Sequence, residues 1–283
     1  MQIDLIVLNF LTYEDTYENI KSLVYATNYK EIDLQVIVVD NLRDEKKLNN
    51  LKSKLDEFNL KIKYVGSSKN LGFANGMNLG IKHSRKKFVI CSNNDILYEK
   101  FDFQNFLSPY VRDSRIAVIG PSIKNLDNEY QNPYIVNEVD WKILKRKLKN
   151  YLFFSIPFGY AFYYLWSLKN EILNKNKTSK THKMNSGYVY ALHGAYFMLT
   201  PVYFKYYDGL DENTFLFSEE LILAERVKSK MLREFYFSEE EVIHKEDSAT
   251  NMLLNKRFKK LNFILRENYK SRKYFFKEYI WKK

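Results

Sequence analysis

An α/β fold on a mostly parallel sheet with flanking helices follows from three features of this 283-residue chain. Apolar, β-prone runs alternate with helical patterns over the first 120 residues, as they do in chains of βαβ units. Those runs are apolar at nearly every position, which strands covered on both faces require. Beyond them, two basic and aromatic stretches break the alternation and predict an inserted helical hairpin over 137–185 and a helical tail over 251–283.

"IDLIVLNF" is the first strand. It lacks the basic start, long apolar run and small-residue cleavage site of a signal peptide, so residence in the cytoplasm is expected. A helix starts between Thr12 and Thr16, followed by the strand "LQVIVVDN" and a Lys- and Leu-rich helix over 44–58. "LKIKYVG", the glycine-spaced helix "GFANGMNLGIKHS" and the strand "KFVICSN" complete a Rossmann-like nucleotide-binding half, 1–120. Such sheets bind ligands at their strand ends. After "IAVIGPSI" and the insert, "SGYVYALHGAYFMLT" returns to a buried pattern. Ser218 is placed to cap the helix "EELILAERVKSKM", and "REFYFSEEEVIHKED" reads as a strand. These segments form a second half, 186–250, so that 1–250 is one domain.

A hydrophobic content of 46% with 17% aromatic residues excludes a disordered chain. The single cysteine, Cys91, excludes an internal disulfide and a cysteine metal cluster, and reads as a small core residue. The net charge of +11 is unevenly placed: residues 141–183 and 255–283 each contribute +9, which leaves the remainder acidic. That pattern describes a surface-binding device on a mildly acidic body, and no nucleic-acid partner is expected. In "WKILKRKLKNYL", Lys142, Lys145, Arg146 and Lys149 share one helical face, opposite Trp141, Leu144, Leu148 and Leu152. The aromatic run that follows is 16 residues long and contains Pro157 and Gly159, too short to span a bilayer. Peripheral attachment to the anionic inner face of the cell membrane is the expectation.

The strand "FVICSNNDI" ends in Ser92, Asn93, Asn94 and Asp95, residues that suit a turn. A second meaning comes from the order of four motifs: "VVDN", "NLGFANGMNLG", "SNND", and "FSEE" followed by "VIHKEDS". Together these resemble the glycosyltransferase family 2 enzymes of the GT-A fold, particularly the rhamnosyltransferase-like members that build bacterial surface polysaccharides. The resemblance covers about residues 3–120 and 186–250. It implies that Asp40 bonds the nucleotide base with Asn9 beside it, and that Asn70 and Gly72 lie near the nucleotide and sugar. Asn93 and Asp95 take the two acidic positions of the family's Asp-x-Asp metal motif, of which only Asp95 keeps its charge. Mg²⁺ or Mn²⁺ is the implied cofactor, with Asp95 and His244 as its ligands. Glu220, with Glu219 in reserve, is the implied general base, and His193 and Gly194 line the acceptor side. Gly76 and Gly80 read as close packing, and Arg226 as the partner of a helix acid.

The implied reaction moves a sugar, with inversion, from dTDP-rhamnose or a UDP-sugar to a hydroxyl of a saccharide, free or polyprenyl-linked. Two other classes compete. A sugar nucleotidyltransferase needs a glycine-rich loop after the first strand, and "VLNFLTYEDT" has none. A non-enzymatic membrane- or nucleic-acid-binding module would need only the basic segments, and would not cleave a nucleotide sugar.

Overall fold

The computed structural model describes residues 1–138, 140–154, 182–246 and 257–282. Strands β1 (Gln2–Asn9), β2 (Asp33–Asp40), β3 (Ile62–Gly66) and β4 (Phe88–Asn93) alternate with helices α1 (Tyr13–Ala26), α2 (Glu45–Leu55) and α3 (Phe73–Ile81). The strands lie parallel in the order β3-β2-β1-β4. Side chains alternate between two cores. Ile3, Leu5 and Val7 of β1 and Leu34, Val36 and Val38 of β2 point into one, while Ile6 and Leu8, Ile37 and Val39 point into the other. Both faces of the sheet are therefore covered, which explains why these strands read as unbroken apolar runs. Cys91 is fully buried in the second core.

Each helix presents its apolar stripe to this sheet. Leu48, Leu51 and Leu55 form the buried line of α2, whose first turn is capped by Asp44 accepting from the Lys47 N–H. Gly76 and Gly80 let α3 lie against the strands: a Cβ would sit 2.7 Å from Leu8 Cδ1 at the first and 2.6 Å from Ile6 Cγ2 at the second. The close-packing reading of both glycines holds.

The second half extends the same sheet. β5 (Ile96–Tyr98) follows β4 after two residues, and the short helices α4 (Phe103–Phe106) and α5 (Ser108–Arg112) lead to β6 (Ile116–Asn125). Next come α6 (Trp141–Phe154), β7 (Gly187–Val189), β8 (Tyr196–Leu199), α7 (Pro201–Phe204), α8 (Glu219–Ser229), β9 (Arg233–His244) and α9 (Arg257–Phe275), which runs into a π-helical turn over Phe276–Ile280. Strand β8 inserts antiparallel between β4 and β6, and β9 pairs parallel with β6 and antiparallel with β5 and β7. The expected mostly parallel sheet with flanking helices is thus present. The aromatic part of the expected hairpin, 155–181, and the start of the tail, 247–256, lie outside the described residues.

Two expectations change. Ser218 does precede α8, yet its hydroxyl makes no cap, because the residue is left-handed, with φ 68° and ψ 5°. Its Oγ is buried without a hydrogen-bond partner. The tail is also more than a surface device. Phe275 and Phe276 are buried in a cluster with Leu148 of α6 and Leu221 and Ile222 of α8, and Tyr274 and Tyr279 both donate to Asp211. These four rings are therefore occupied by the fold, while Trp281 and Lys270, Lys273, Lys277 and Lys282 remain exposed.

Candidate active site

The carboxyl ends of β1, β2 and β4 come together where the strand order reverses, the place at which open α/β sheets bind ligands. The stretch that ends β4 divides its labour by direction. Asn94 turns inward, its amide within hydrogen-bond distance of Asn9 Oδ1, the Thr12 hydroxyl and the Thr16 hydroxyl, and so fixes the strand end to the start of α1. Asn93 and Asp95 turn the other way, toward His244 at the end of β9.

At that point His244 Nδ1 lies 2.9 Å from Gln131 Oε1. An amide oxygen only accepts, so Nδ1 donates to it and Nε2 is the ring atom turned toward Asp95. Nε2 lies 3.3 Å from Asp95 Oδ1. That separation is the one expected of neighbouring ligands each about 2.1 Å from one small divalent cation. The donor set therefore fits a hard cation completed by substrate phosphate and water. Among the described residues, no three His, Cys, Asp or Glu side chains gather as a metal site by themselves.

Beside this pair opens a cleft of about 320 Å³, lined by Asn93, His193, Gly194, Glu219, Glu220, Asn268 and Arg272 together with Phe73 and Tyr134. Glu220 accepts from the Gly194 N–H. A Cβ at position 194 would lie 2.9 Å from Glu220 Oε1, so a glycine is what allows this approach. Glu219 accepts from the Thr214 hydroxyl at 3.5 Å. Burial raises the proton affinity of both acids, and the charge of Glu220 raises that of Glu219 further. The turn that delivers them is strained: Phe217 and Ser218 both hold positive φ, 73° and 68°, at a cost of about 1–3 kcal/mol each. Burial, with the nearby His244, lowers His193 to about 4, and its Nδ1 accepts from the Ala195 N–H.

The remaining expected residues sit one layer away. Asn9 and Asp40 meet, Nδ2 to Oδ1 at 2.9 Å, but both are 0% exposed, and Asp40 also accepts from the Tyr13 hydroxyl at 2.8 Å. Burial raises the Asp40 carboxyl, against these two hydrogen bonds. Asn70 Oδ1 accepts from the Gly72 N–H and from Asn41 Nδ2, which ties the "NLG" turn to the end of β2. Gly72 holds φ 82° and ψ −170°, a region open to glycine alone, directly under the Phe215 carbonyl. Arg226 does not pair with a helix acid; its guanidinium lies 4.0 Å from the centre of the Tyr207 ring.

A sequence profile decides the family: that of glycosyl transferase family 2 matches residues 5–170, more than half of the chain. The chain belongs to glycosyl transferase family 2. Solved structures agree in fold. A GalNAc-T7 crystallised with UDP, GalNAc and Mn²⁺ superposes with a TM-score of 0.61 at 13% identity, over 98% of this chain and 56% of that one. S. aureus TarS 1–349 in complex with UDP gives 0.54 at 13% identity, over 94% and 65%. The longer S. aureus TarS structure gives 0.55 at 12% identity, over 99% and 44%. This chain thus spans roughly half the length of those proteins. No curated protein matches it in sequence.

Within the family frame, several site residues carry no local signal. Tyr13, Gln131, Asn268 and Arg272 reach the site from elements remote in sequence, and only the fold brings them there. Asn41 and Asn94 lie inside the motifs "VVDN" and "SNND", and their buried amides hold the backbone of the site.

Proposed function

We propose that this protein transfers a sugar, with inversion, from a nucleotide diphosphate sugar to a hydroxyl of a saccharide acceptor. The observation that carries the reading is the place of Asn93, which lies 3.5 Å from His244 Nε2 of the Asp95–His244 pair and lines the same cleft as Glu219 and Glu220. The donor diphosphate lies at the end of β4. Asp95 and His244 would hold Mg²⁺ or Mn²⁺ there, and that ion would supply positive charge to the departing diphosphate. The acceptor hydroxyl enters the cleft opposite, and the Glu220 carboxylate takes its proton as the oxygen attacks the anomeric carbon. Glu219, whose proton affinity is raised by its neighbour, is the reserve base. Asn70 and Gly72 shape the turn over the sugar. Asn9 and Asp40 set the nucleoside end through Tyr13, which also accepts from the Asp44 N–H.

The donor in this proposal is dTDP-rhamnose or a UDP-sugar; the GalNAc-T7 and TarS structures hold UDP. The acceptor is a lipid-linked saccharide of surface polysaccharide synthesis, met at the inner face of the membrane. Support comes from the pairing of α6 with α9, Trp141 on Phe275 at 5.6 Å and Lys145 over the Trp281 ring. α9 carries exposed Lys270 and Lys273 and also lines the cleft through Asn268 and Arg272. No helix among the described residues is long and apolar enough to cross a membrane. The catalytic domain in this reading is 1–250, with a nucleotide-binding half 1–120, an acceptor half 186–250, an insert 137–185 and a tail 251–283.

The test is thermal unfolding with a panel of nucleotide sugars. A donor at 100 times its Kd stabilises the folded state by about 2.7 kcal/mol. At least one UDP- or dTDP-sugar should raise Tm by several degrees with Mn²⁺ present and less with EDTA. A panel without any shift would overturn the proposal.

A further inference from the structure

The C-terminal helix α9 approaches the acidic pair at more points than packing requires. Ser271 Oγ donates to the Leu216 carbonyl at 2.7 Å, one residue before the strained Phe217–Ser218 turn. Tyr274 and Tyr279 donate to Asp211 in the same loop, and Phe275 and Phe276 pack on Leu221 and Ile222 just behind the acids. Between Ser271 and these rings stands Arg272. It is 9% exposed and lines the same cleft as Glu219 and Glu220, the sole Lys or Arg among the described residues to do so.

The groups facing Glu220 can be named from each side. Its own helix brings Glu219 and Arg226, the preceding loop Asp211 and Thr214, and the turn before β8 brings His193 and the Gly194 N–H. Strand β9 brings Glu234, whose carboxylate accepts from the Leu192 N–H at 2.8 Å, and α9 brings Arg272. Arg226 lines the adjoining pocket with both acids, but its guanidinium is stacked 4.0 Å from the centre of the Tyr207 ring, and the cation that favours ionised Glu220 is Arg272. Two neighbouring carboxylates, half-buried in one cleft, cannot both ionise readily. The one that keeps its charge is the one with a cation opposite, and an ionised carboxylate is what a general base must be.

We propose that Arg272 is a positioning residue for the general base: carried into the cleft by α9, it keeps Glu220 ionised while Glu219 holds the proton. The inference rests on the reading of Glu220 as base, and it assigns the tail helix to the active site. The direction of the electrostatics agrees, since Arg272 favours the ionised form of Glu220, whereas the charge of Glu220 opposes ionisation of Glu219.

The experiment follows the glutamate side-chain carbons by NMR across pH in the full-length protein without added ligand. Resonances are assigned with Glu219→Gln and Glu220→Gln. In the wild-type chain, Glu220 should titrate below Glu219; the reverse order would overturn the proposal without any Arg272 variant having to fold. Arg272→Met should move the Glu220 midpoint up by a full pH unit or more, a tenfold change in its ionisation. Arg272→Lys should restore most of that shift. Ser271→Ala, which loosens the clasp and leaves the charge, should lower Tm and leave the midpoint in place. An unchanged Glu220 midpoint in folded Arg272→Met would also overturn the proposal. Sugar transfer enters none of these measurements. Undiminished transfer by Glu220→Gln, measured with the donor found by thermal shift, would instead remove the base reading on which the proposal rests.

Discussion

Replacing Gly72 by Ala should damage the fold and the site together, because this residue locks the start of α3 to the loop that carries the acids. At φ 82° and ψ −170° an alanine costs about 1–3 kcal/mol. Its Cβ would overlap the Phe215 carbonyl oxygen and sit 2.9 Å from the carbonyl carbon. These are backbone atoms, which cannot rotate away, so the Phe73 N–H to Phe215 O hydrogen bond of 2.9 Å must open, at about another 1 kcal/mol. The sum, about 2–4 kcal/mol, corresponds to a fall in Tm of about 3–7 °C for a chain of this size. Phe215 lies four residues before Glu219, so displacing it moves the acidic turn and should lower turnover as well. Calorimetry on the wild type, Gly72→Ala and Gly187→Ala decides. A methyl group added at Gly187 would meet nothing within 4 Å and its φ is not positive, so that variant should stay within about 0.5 kcal/mol. A Gly72→Ala protein melting within about 1 °C of wild type would refute the reasoning.

Asp95→Ala should keep its fold and lose the Mn²⁺-dependent stabilisation by UDP or dTDP; an unchanged thermal shift would remove Asp95 from the cation site. Glu220→Gln should lower turnover by roughly 100-fold or more with little change in donor affinity. Full activity in this variant and in Glu219→Gln would exclude the pair from the chemistry. Lys142, Lys145, Arg146 and Lys149 are exposed along α6, and each should add about 1 kcal/mol of attraction to anionic lipid. Changing all four to Gln should reduce pelleting with anionic liposomes at low salt, and equal pelleting of the wild type with neutral and anionic liposomes would remove the membrane contact.

The sequence is most legible where one element explains itself. β1 to β4 announce themselves by apolar runs, and α2 by its leucine spacing and its Asp44 cap, because in each case burial of a contiguous face decides the conformation. The candidate site is legible where motifs sit at strand and helix ends: Asn93 reaches His244, which pairs with Asp95, and it shares a cleft with the acidic pair. It misleads where a short polar residue has two uses. Ser218 looks like a cap, but the positive φ that aims Glu219 and Glu220 turns its hydroxyl from the helix. The tail reads by charge alone, since nothing in "KSRKYFFKEY" reveals that Arg272 and Ser271 face inward and Lys270 and Lys273 outward. That division emerges only once Phe275 and Phe276 have found Leu221 and Ile222.

The buried acid behind the cleft, Glu234, permits a sharper test of the site's electrostatics. Burial first, then the charge of Glu220, raises its carboxyl from 4.5 to about 8, while the Leu192 N–H works against the shift. A group that binds its proton more tightly when folded weighs nothing against the fold below pH 4.5. It then withdraws stability as pH rises toward 8, because the unfolded chain ionises freely and the folded one does not. Glu234→Gln cannot ionise, and its side-chain oxygen still accepts from the Leu192 N–H. The variant should therefore match the wild type near pH 4.5 and exceed it at pH 8 by on the order of 4 kcal/mol. Other carboxylates tilt the absolute stability curve. Asp40 and Glu240 are raised like Glu234, and Asp113 and Asp211 are lowered, but all of these are common to both proteins and cancel in the difference. Denaturant unfolding of the pair at half-unit steps from pH 4.5 to 8.5 reads that difference directly. Parallel curves would mean that Glu234 ionises as easily in the fold as outside it, and that the wall behind Glu220 is not the buried, acid-repelling surface described above.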